Sequence, residues 1–271
     1  MLPYLQKYRN KVIAIKYGGN AMQSEELKRL VMGDVILLTM VGIKVVLIHG
    51  GGPEITELLE KMGKESRFVD GLRVTDKETA EAAQMVLAGK INKDLVNIIQ
   101  AEGGNAVGLS GIDGHLIKAK MQDVRLGYVG EITGVDIKIV EDMMNMGYIP
   151  VISSLGCDDE GNVYNINADT AAARIAGELK AESLIMMTDI KGVLRDKNDP
   201  ESLIEKIYVS DAKELMNQGI ISGGMIPKME CCIQAIRRGV KKVFVLDGRV
   251  HHAILMELFT DDGMGTMFVG G

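Results

Sequence analysis

Val45-Val46-Leu47-Ile48-His49-Gly50-Gly51-Gly52-Pro53 decides how this chain is read. Its first four residues form a continuous apolar run, the pattern of a strand buried on both faces. Three glycines and a proline follow at once, and residues 54–62 then continue with helical spacing. Pro53 suits the first turn of that helix, where a missing N–H leaves nothing unsatisfied. Glycine has no Cβ, so the N–H groups of Gly50, Gly51 and Gly52 can press against an anion. The helix N-terminus adds partial positive charge. A tight turn with no ligand would use the same residues, so the neighbouring segments must decide between the two.

The alternation of strand and helix continues outward in both directions. Before the glycines, residues 12–15 are a β-branched run ending at Lys16-Tyr17-Gly18-Gly19, and 25–40 has helical periodicity with Ser24 as N-cap. After them, 75–87 and 91–102 read as helices, with Thr75 as the N-cap of the first, and 106–109 as a strand. Residues 116–121 and 128–132 form an antiparallel excursion. Helices are predicted at 136–146, 168–179, 226–238 and 252–259, and strands at 149–152, 163–166, 183–187, 242–246 and 266–269. This pattern predicts an α/β fold with a mostly parallel central sheet sandwiched between helices. Two lobes are expected within one domain over 1–271, meeting near 180, where a new series of strand and helix begins.

Composition narrows the function. A chain of 271 residues can bury a substantial core. The net charge of −6 and the lack of a long basic block argue against nucleic acid as a partner. Three cysteines (Cys157, Cys231 and Cys232) are no disulfide framework and have no metal-site spacing, and adjacent Cys231 and Cys232 read as small buried helix residues. The neighbouring His251 and His252 would diverge on a helix, so no metal site is expected. The greasy stretch 35–48 is broken by Thr39, Gly42 and Lys44, too soon to span a bilayer. Residues 1–10 lack the apolar core of a signal peptide. The expectation is a cytoplasmic protein with no membrane partner.

Five further segments carry chemistry. Lys16 stands at the carboxyl end of an interior strand, where ligands bind in α/β sheets, and it can reach an anion cradled by Gly18 and Gly19. In Asn165-Ile166-Asn167-Ala168-Asp169-Thr170, alternation puts Asn165 and Asn167 on one face, and Asp169 falls in the first turn of the next helix. Plain helix capping explains one or two of these polar residues. In Gly223-Gly224-Met225-Ile226-Pro227-Lys228, a lysine sits near a helix N-terminus that already carries positive character, and a bound polyanion would account for it. Gly71-Leu72-Arg73-Val74-Thr75 offers an arginine able to pair bidentately with a carboxylate. Asp189-Ile190-Lys191-Gly192-Val193-Leu194 follows a strand and suits either a β-turn or a nucleotide site.

Taken in order, Lys16-Tyr17-Gly18-Gly19, the opening stretch from His49 to Pro53, Gly71-Leu72-Arg73-Val74-Thr75, Asn165 to Asp169 and Gly223 to Lys228 resemble the amino acid kinase family over essentially the whole chain, and within it the members that phosphorylate N-acetyl-L-glutamate. The resemblance implies γ-phosphoryl transfer from ATP to the side-chain carboxylate of that acid, the second step of arginine biosynthesis. It assigns the acyl amino acid to 1–180, with dimer contacts, and ATP to 181–271. Lys16 and Lys228 would flank the transferring phosphoryl group, with Asp169 orienting both lysines. Gly19, Gly51 and Gly52 would supply backbone N–H groups, and Arg73 and Asn165 would hold the substrate. Gly18 and Gly19, residues 189–194 and Ile220, Ile221 and Ser222 would bind ATP. Mg2+ would ride on its phosphates. The resemblance extends to an arginine-inhibited branch, with Tyr4, Glu257, Gly263 and Gly265 as contacts for L-arginine. That branch carries a longer amino-terminal helix that links dimers into a hexamer. Here the pattern starts at Leu2-Pro3-Tyr4, so a homodimer is expected, with the hexamer as the alternative.

The chemistry agrees with those roles. A carboxylate is ionised at neutral pH and attacks without a general base, so lysines and glycines are needed rather than a catalytic histidine. Two other readings remain at this point. A related acid, such as N-acetyl-aminoadipate, aspartate or carbamate, could be the acceptor, or the chain could be a silent amino acid sensor. Lys16, Asp169 and Lys228 speak against a sensor. A dinucleotide oxidoreductase lacks support, because the Gly-x-Gly-x-x-Gly spacing is missing.

Overall fold

The computed structural model describes residues 2–22, 24–199, 201–261 and 263–271. In chain order the elements begin with helix α1 (Leu2–Tyr8), strand β1 (Val12–Tyr17), helix α2 (Glu25–Met40) and strand β2 (Lys44–His49). Helix α3 (Gly52–Lys61), the short strands β3 (Phe68–Val69) and β4 (Leu72–Arg73) and helix α4 (Lys77–Gln84) follow. A π-helical segment, Met85–Ile91, leads into α5 (Asn92–Ala101). Next come β5 (Ala106–Ser110), β6 (Ile117–Met121), β7 (Gly130–Val135), α6 (Lys138–Asn145), β8 (Ile149–Ser153), β9 (Leu155–Cys157) and β10 (Val163–Asn165). The chain closes with α7 (Ala168–Glu178), β11 (Ser183–Thr188), β12 (Lys206–Tyr208), α8 (Ala212–Asn217), α9 (Met225–Arg237), β13 (Lys242–Asp247), α10 (Ala253–Phe259) and β14 (Thr266–Val269).

Two compact units result: residues 1–45 with 172–271, and residues 46–171. In the first, the strand order is β12-β14-β13-β11-β1. β1 runs parallel to β11 with Lys16 opposite Met186, and β11 runs parallel to β13 with Thr188 opposite Asp247. Only β14 against β13 is antiparallel. β11 is buried throughout, as an interior parallel strand should be. β1 pairs with β11, and the first 45 residues group with the carboxyl-terminal part. The grouping therefore differs from a single division near 180.

In the second unit β2, β8 and β5 are parallel neighbours, with His49 opposite Ser153 and Ser153 opposite Ser110. A four-stranded sheet, β10-β9-β6-β7, contains the expected antiparallel excursion as β6 against β7. Ser24 caps α2 by accepting the Leu27 N–H at 3.2 Å. Thr75 does not cap α4: Asp76 does, through the Thr79 N–H at 2.9 Å, while the Thr75 hydroxyl donates to the Arg73 carbonyl. Residues 75–87 thus form a shorter α-helix than expected, continued by π-helical turns. α1, β12 and α8 were not legible as elements. Among the described residues no helix is long and apolar enough to cross a membrane.

Candidate active site

In the second unit, β2 delivers His49 and then the glycines directly to the start of α3. Gly51 is the N-cap, its carbonyl accepting the Ile55 N–H at 3.0 Å, and Pro53 lies in the first turn. The loop is walled in. A Cβ on Gly51 would run into Ile91 Cδ1 and come within 2.9 Å of Leu87 Cδ2. A Cβ on Gly50 would sit 3.1 Å from the Cβ of Ala168, which brings the glycine stretch against the start of α7. There the Asn167 side chain accepts the N–H groups of Asp169 and Thr170, each at 3.0 Å, so Asn167 is the helix cap. Asp169 lies in the first turn of α7, and Asn165 ends β10 with its N–H donated to the Tyr128 carbonyl at 2.9 Å.

Arg73 is only 7% exposed, which rules out a plain surface salt bridge. Its Nη2 donates to the Gly52 carbonyl and to Thr56 Oγ1, both at 2.8 Å, and its Nη1 donates to Ser66 Oγ. The guanidinium also lies 4.8 Å from the centre of the Phe68 ring. Burial pulls its pKa below the usual arginine value. The contacts place a buried cation beside the first turn of α3.

The first unit holds the lysines. Lys16, 8% exposed, is the penultimate residue of β1, just before Tyr17. Gly18 follows, and Gly19 opens a short 3-10 turn with φ +75°. On the same sheet edge β11 ends at Thr188, whose hydroxyl donates to the Asp189 carboxylate at 3.3 Å. Asp189 and Lys191 are exposed, whereas Val193 is core. Gly192 lets the chain pass Thr266: a Cβ there would lie 2.6 Å from Thr266 Oγ1, and that oxygen accepts the Val193 N–H at 2.8 Å. Leu194 pairs with Leu203 as an isolated antiparallel bridge. The N–H groups of Ile220 and Ile221 both donate to the Leu215 carbonyl and close α8, with Ile221 buried and Ser222 exposed. Lys228 is in the first turn of α9, a turn without an acidic residue.

The segments expected at an arginine site are also in this unit. The Tyr4 hydroxyl donates to Asp261, joining α1 to the loop after α10. Glu257 accepts the Met264 N–H at 2.7 Å, and burial raises its carboxyl pKa. Gly265 has no room for a Cβ against the Val245 carbonyl, while Gly263 is open.

Two residues of the glycine-loop surroundings were missed from sequence. His49 is fully buried, and burial lowers its pKa to about 4. Asn92 is 1% exposed and shares its amide N–H groups among His49 Nε2 at 3.2 Å, the Leu109 carbonyl at 3.1 Å and the Val151 carbonyl at 2.8 Å. The available signal was Asn92 on the same helical stripe as the buried Leu95 and Ile99.

The amino acid kinase family profile matches residues 11–247. A protein named acetylglutamate kinase, from Brachyspira hyodysenteriae, is 55% identical over 269 residues, covering 98% of this chain and 93% of its own. Among solved structures, the N-acetylglutamate synthase of Neisseria gonorrhoeae, in complex with coenzyme A and N-acetyl-glutamate, superposes with a TM-score of 0.87 at 26% identity. That match covers 99% of this chain, which spans 61% of the synthase. Giardia carbamate kinase gives a TM-score of 0.70 at 15% identity, covering 97% of this chain and 99% of its own, a likeness of fold alone.

Proposed function

The chain belongs to the amino acid kinase family, and from that premise we propose how its residues divide the work. The reaction is ATP-dependent phosphorylation of the side-chain carboxylate of N-acetyl-L-glutamate, in arginine biosynthesis. The observation that carries the site assignment is Arg73, a buried guanidinium bonded to the Gly52 carbonyl and Thr56 at the start of α3. It sets a carboxylate-binding cation beside a glycine loop and a helix N-terminus.

In this reading Arg73 and Asn165 hold the acyl amino acid, and the N–H groups of Gly51 and Gly52 meet its reacting end. Lys16 and Lys228 neutralise charge on the transferring phosphoryl group, and Asp169 is the carboxylate that orients lysine. Gly18, Gly19, residues 189–194 and residues 220–222 receive ATP. The nucleophile is already ionised, so positioning and electrostatic donors do the catalysis. Mg2+ would be carried by the phosphates and water.

L-Arginine as an inhibitor is supported by the joining of Tyr4 to the loop at Asp261 and by half-buried Glu257. A cytoplasmic homodimer, with a hexamer as the alternative, completes the proposal. The deciding experiment traps acyl phosphate with hydroxylamine, using ATP and N-acetyl-L-glutamate beside glutamate, aspartate and carbamate. Signal with N-acetyl-L-glutamate alone is expected; signal only with another acid, or none, would overturn the assignment. An activity curve flat to millimolar arginine would remove the inhibitor.

A further inference from the structure

The ring of His49 has its Nδ1 3.0 Å from the Gly50 carbonyl oxygen, which can only accept. Nδ1 therefore carries the proton. Its Nε2, left without a proton, faces the side-chain nitrogen of Asn92 at 3.2 Å and can accept from it. The two bonds select one neutral tautomer, as a second partner does for a histidine in other sites. Full burial favours the same neutral form.

The fit around Asn92 is built on both sides. Gly108 on β5 has no Cβ, and one placed there would strike the Asn92 carboxamide oxygen and lie 2.6 Å from Lys93 Nζ. Lys93 in turn donates to that oxygen at 3.0 Å, so every polar atom of the Asn92 carboxamide has a partner. Asn92 is also the first residue after the π-helical segment, whose Ile91 and Leu87 press on Gly51. Extra residues in a π turn shift the phase of the following helix, and such turns cluster at functional sites.

The Gly50–Gly51 peptide is trans, so its carbonyl and its N–H point in opposite directions. Whatever holds the Gly50 carbonyl also aims the Gly51 N–H. We infer that His49, locked by Asn92 as its Nδ1–H tautomer, is a positioning residue that aims the Gly51 N–H at the reacting group. This rests on the assignment of the Gly51 N–H to the reacting end of the substrate. His49 touches no reacting atom; it acts through one peptide plane.

The test compares His49→Asn and His49→Gln. The Asn amide nitrogen takes the place of Nδ1 and can still donate to Gly50, whereas the Gln amide nitrogen takes the place of Nε2 and cannot. His49→Gln is expected to lower kcat about a hundredfold, the usual effect of losing one oriented donor, with little change in KM for ATP. His49→Asn is expected to recover most of that loss. Equal losses in both variants, tracking their melting temperatures, would reduce His49 to a structural role and overturn the inference, as would unchanged kcat in His49→Gln. Nitrogen NMR of the wild-type imidazole supplies a readout free of variants: the Nδ1–H signature at pH 7 is expected, and the Nε2–H form would overturn it. Absence of acyl phosphate from the wild type would instead strike the assigned reaction, leaving the tautomer result standing.

Discussion

Two glycine-bearing turns lead into helices in this chain, and they are built differently. At Gly50 and Gly51 the space is taken: Ile91, Leu87 and Ala168 stand where a Cβ would go. At Gly223 and Gly224 nothing lies within 4 Å of an added Cβ. Gly223 is required for another reason, its φ of +56°, while Gly224 sits at an ordinary helical φ of −63°. The same spelling therefore has two causes, packing in one turn and backbone angle in the other. Only the packed turn has its peptide planes set by neighbouring side chains in advance of a ligand.

The open turn is expected to carry charge rather than shape. Lys228→Ala should lower kcat by roughly a hundred- to a thousandfold while leaving the melting temperature nearly unchanged, and Lys16→Ala should lower kcat as much. Wild-type turnover in either would take that lysine out of the site. The packed turn should betray itself in acid. Folded His49 titrates at about 4 and the unfolded residue near 6.5. Between those values the unfolded chain gains a proton that the folded chain refuses, so stability falls with pH, by roughly 3 kcal/mol at most. The charge of Lys93 works in the same direction. Asp34 and Glu257, whose carboxyl pKa values burial raises, work in the opposite one. The quantity to measure is therefore the difference between wild type and His49→Asn in urea midpoints at pH 7 and pH 4.5. A wild-type slope no steeper than the variant's would show that His49 is not held neutral.

Glycine replacements then sharpen the contrast directly. Gly51→Ala should cost about 1–3 kcal/mol by overpacking against Ile91 and Leu87. Gly223→Ala should cost about 1 kcal/mol through its left-handed backbone, and Gly224→Ala should stay within about 0.5 kcal/mol of wild type. Equal denaturation midpoints for Gly51→Ala and Gly224→Ala would erase the distinction between the two turns.

The residues proposed for the site could be picked out because they sit at punctuation marks of the chain. Lys16, Gly50 to Gly52 and Asp189 each follow an apolar run, and Asp169 and Lys228 each open a helix, positions that local rules recognise. Thr75 misled because Asp76, its neighbour, is the stronger acceptor for the Thr79 N–H and also pairs with Lys64. Asn92 stayed hidden because the partners of its amide nitrogen lie 17, 43 and 59 residues away in sequence. The short strand β12 and helix α8 had too few residues to display a period.

The order of the longer strands and helices, the parallel character of the sheet and the positions of the glycine-bearing turns were determined by the sequence alone, since hydrophobic period and turn chemistry are local. Tertiary structure alone decided that β1 belongs with β11, that Arg73 is buried against Gly52 and that His49 is neutral. Each of those depends on which distant backbone comes close enough to exclude water, and that distance is set by packing rather than by neighbours along the chain.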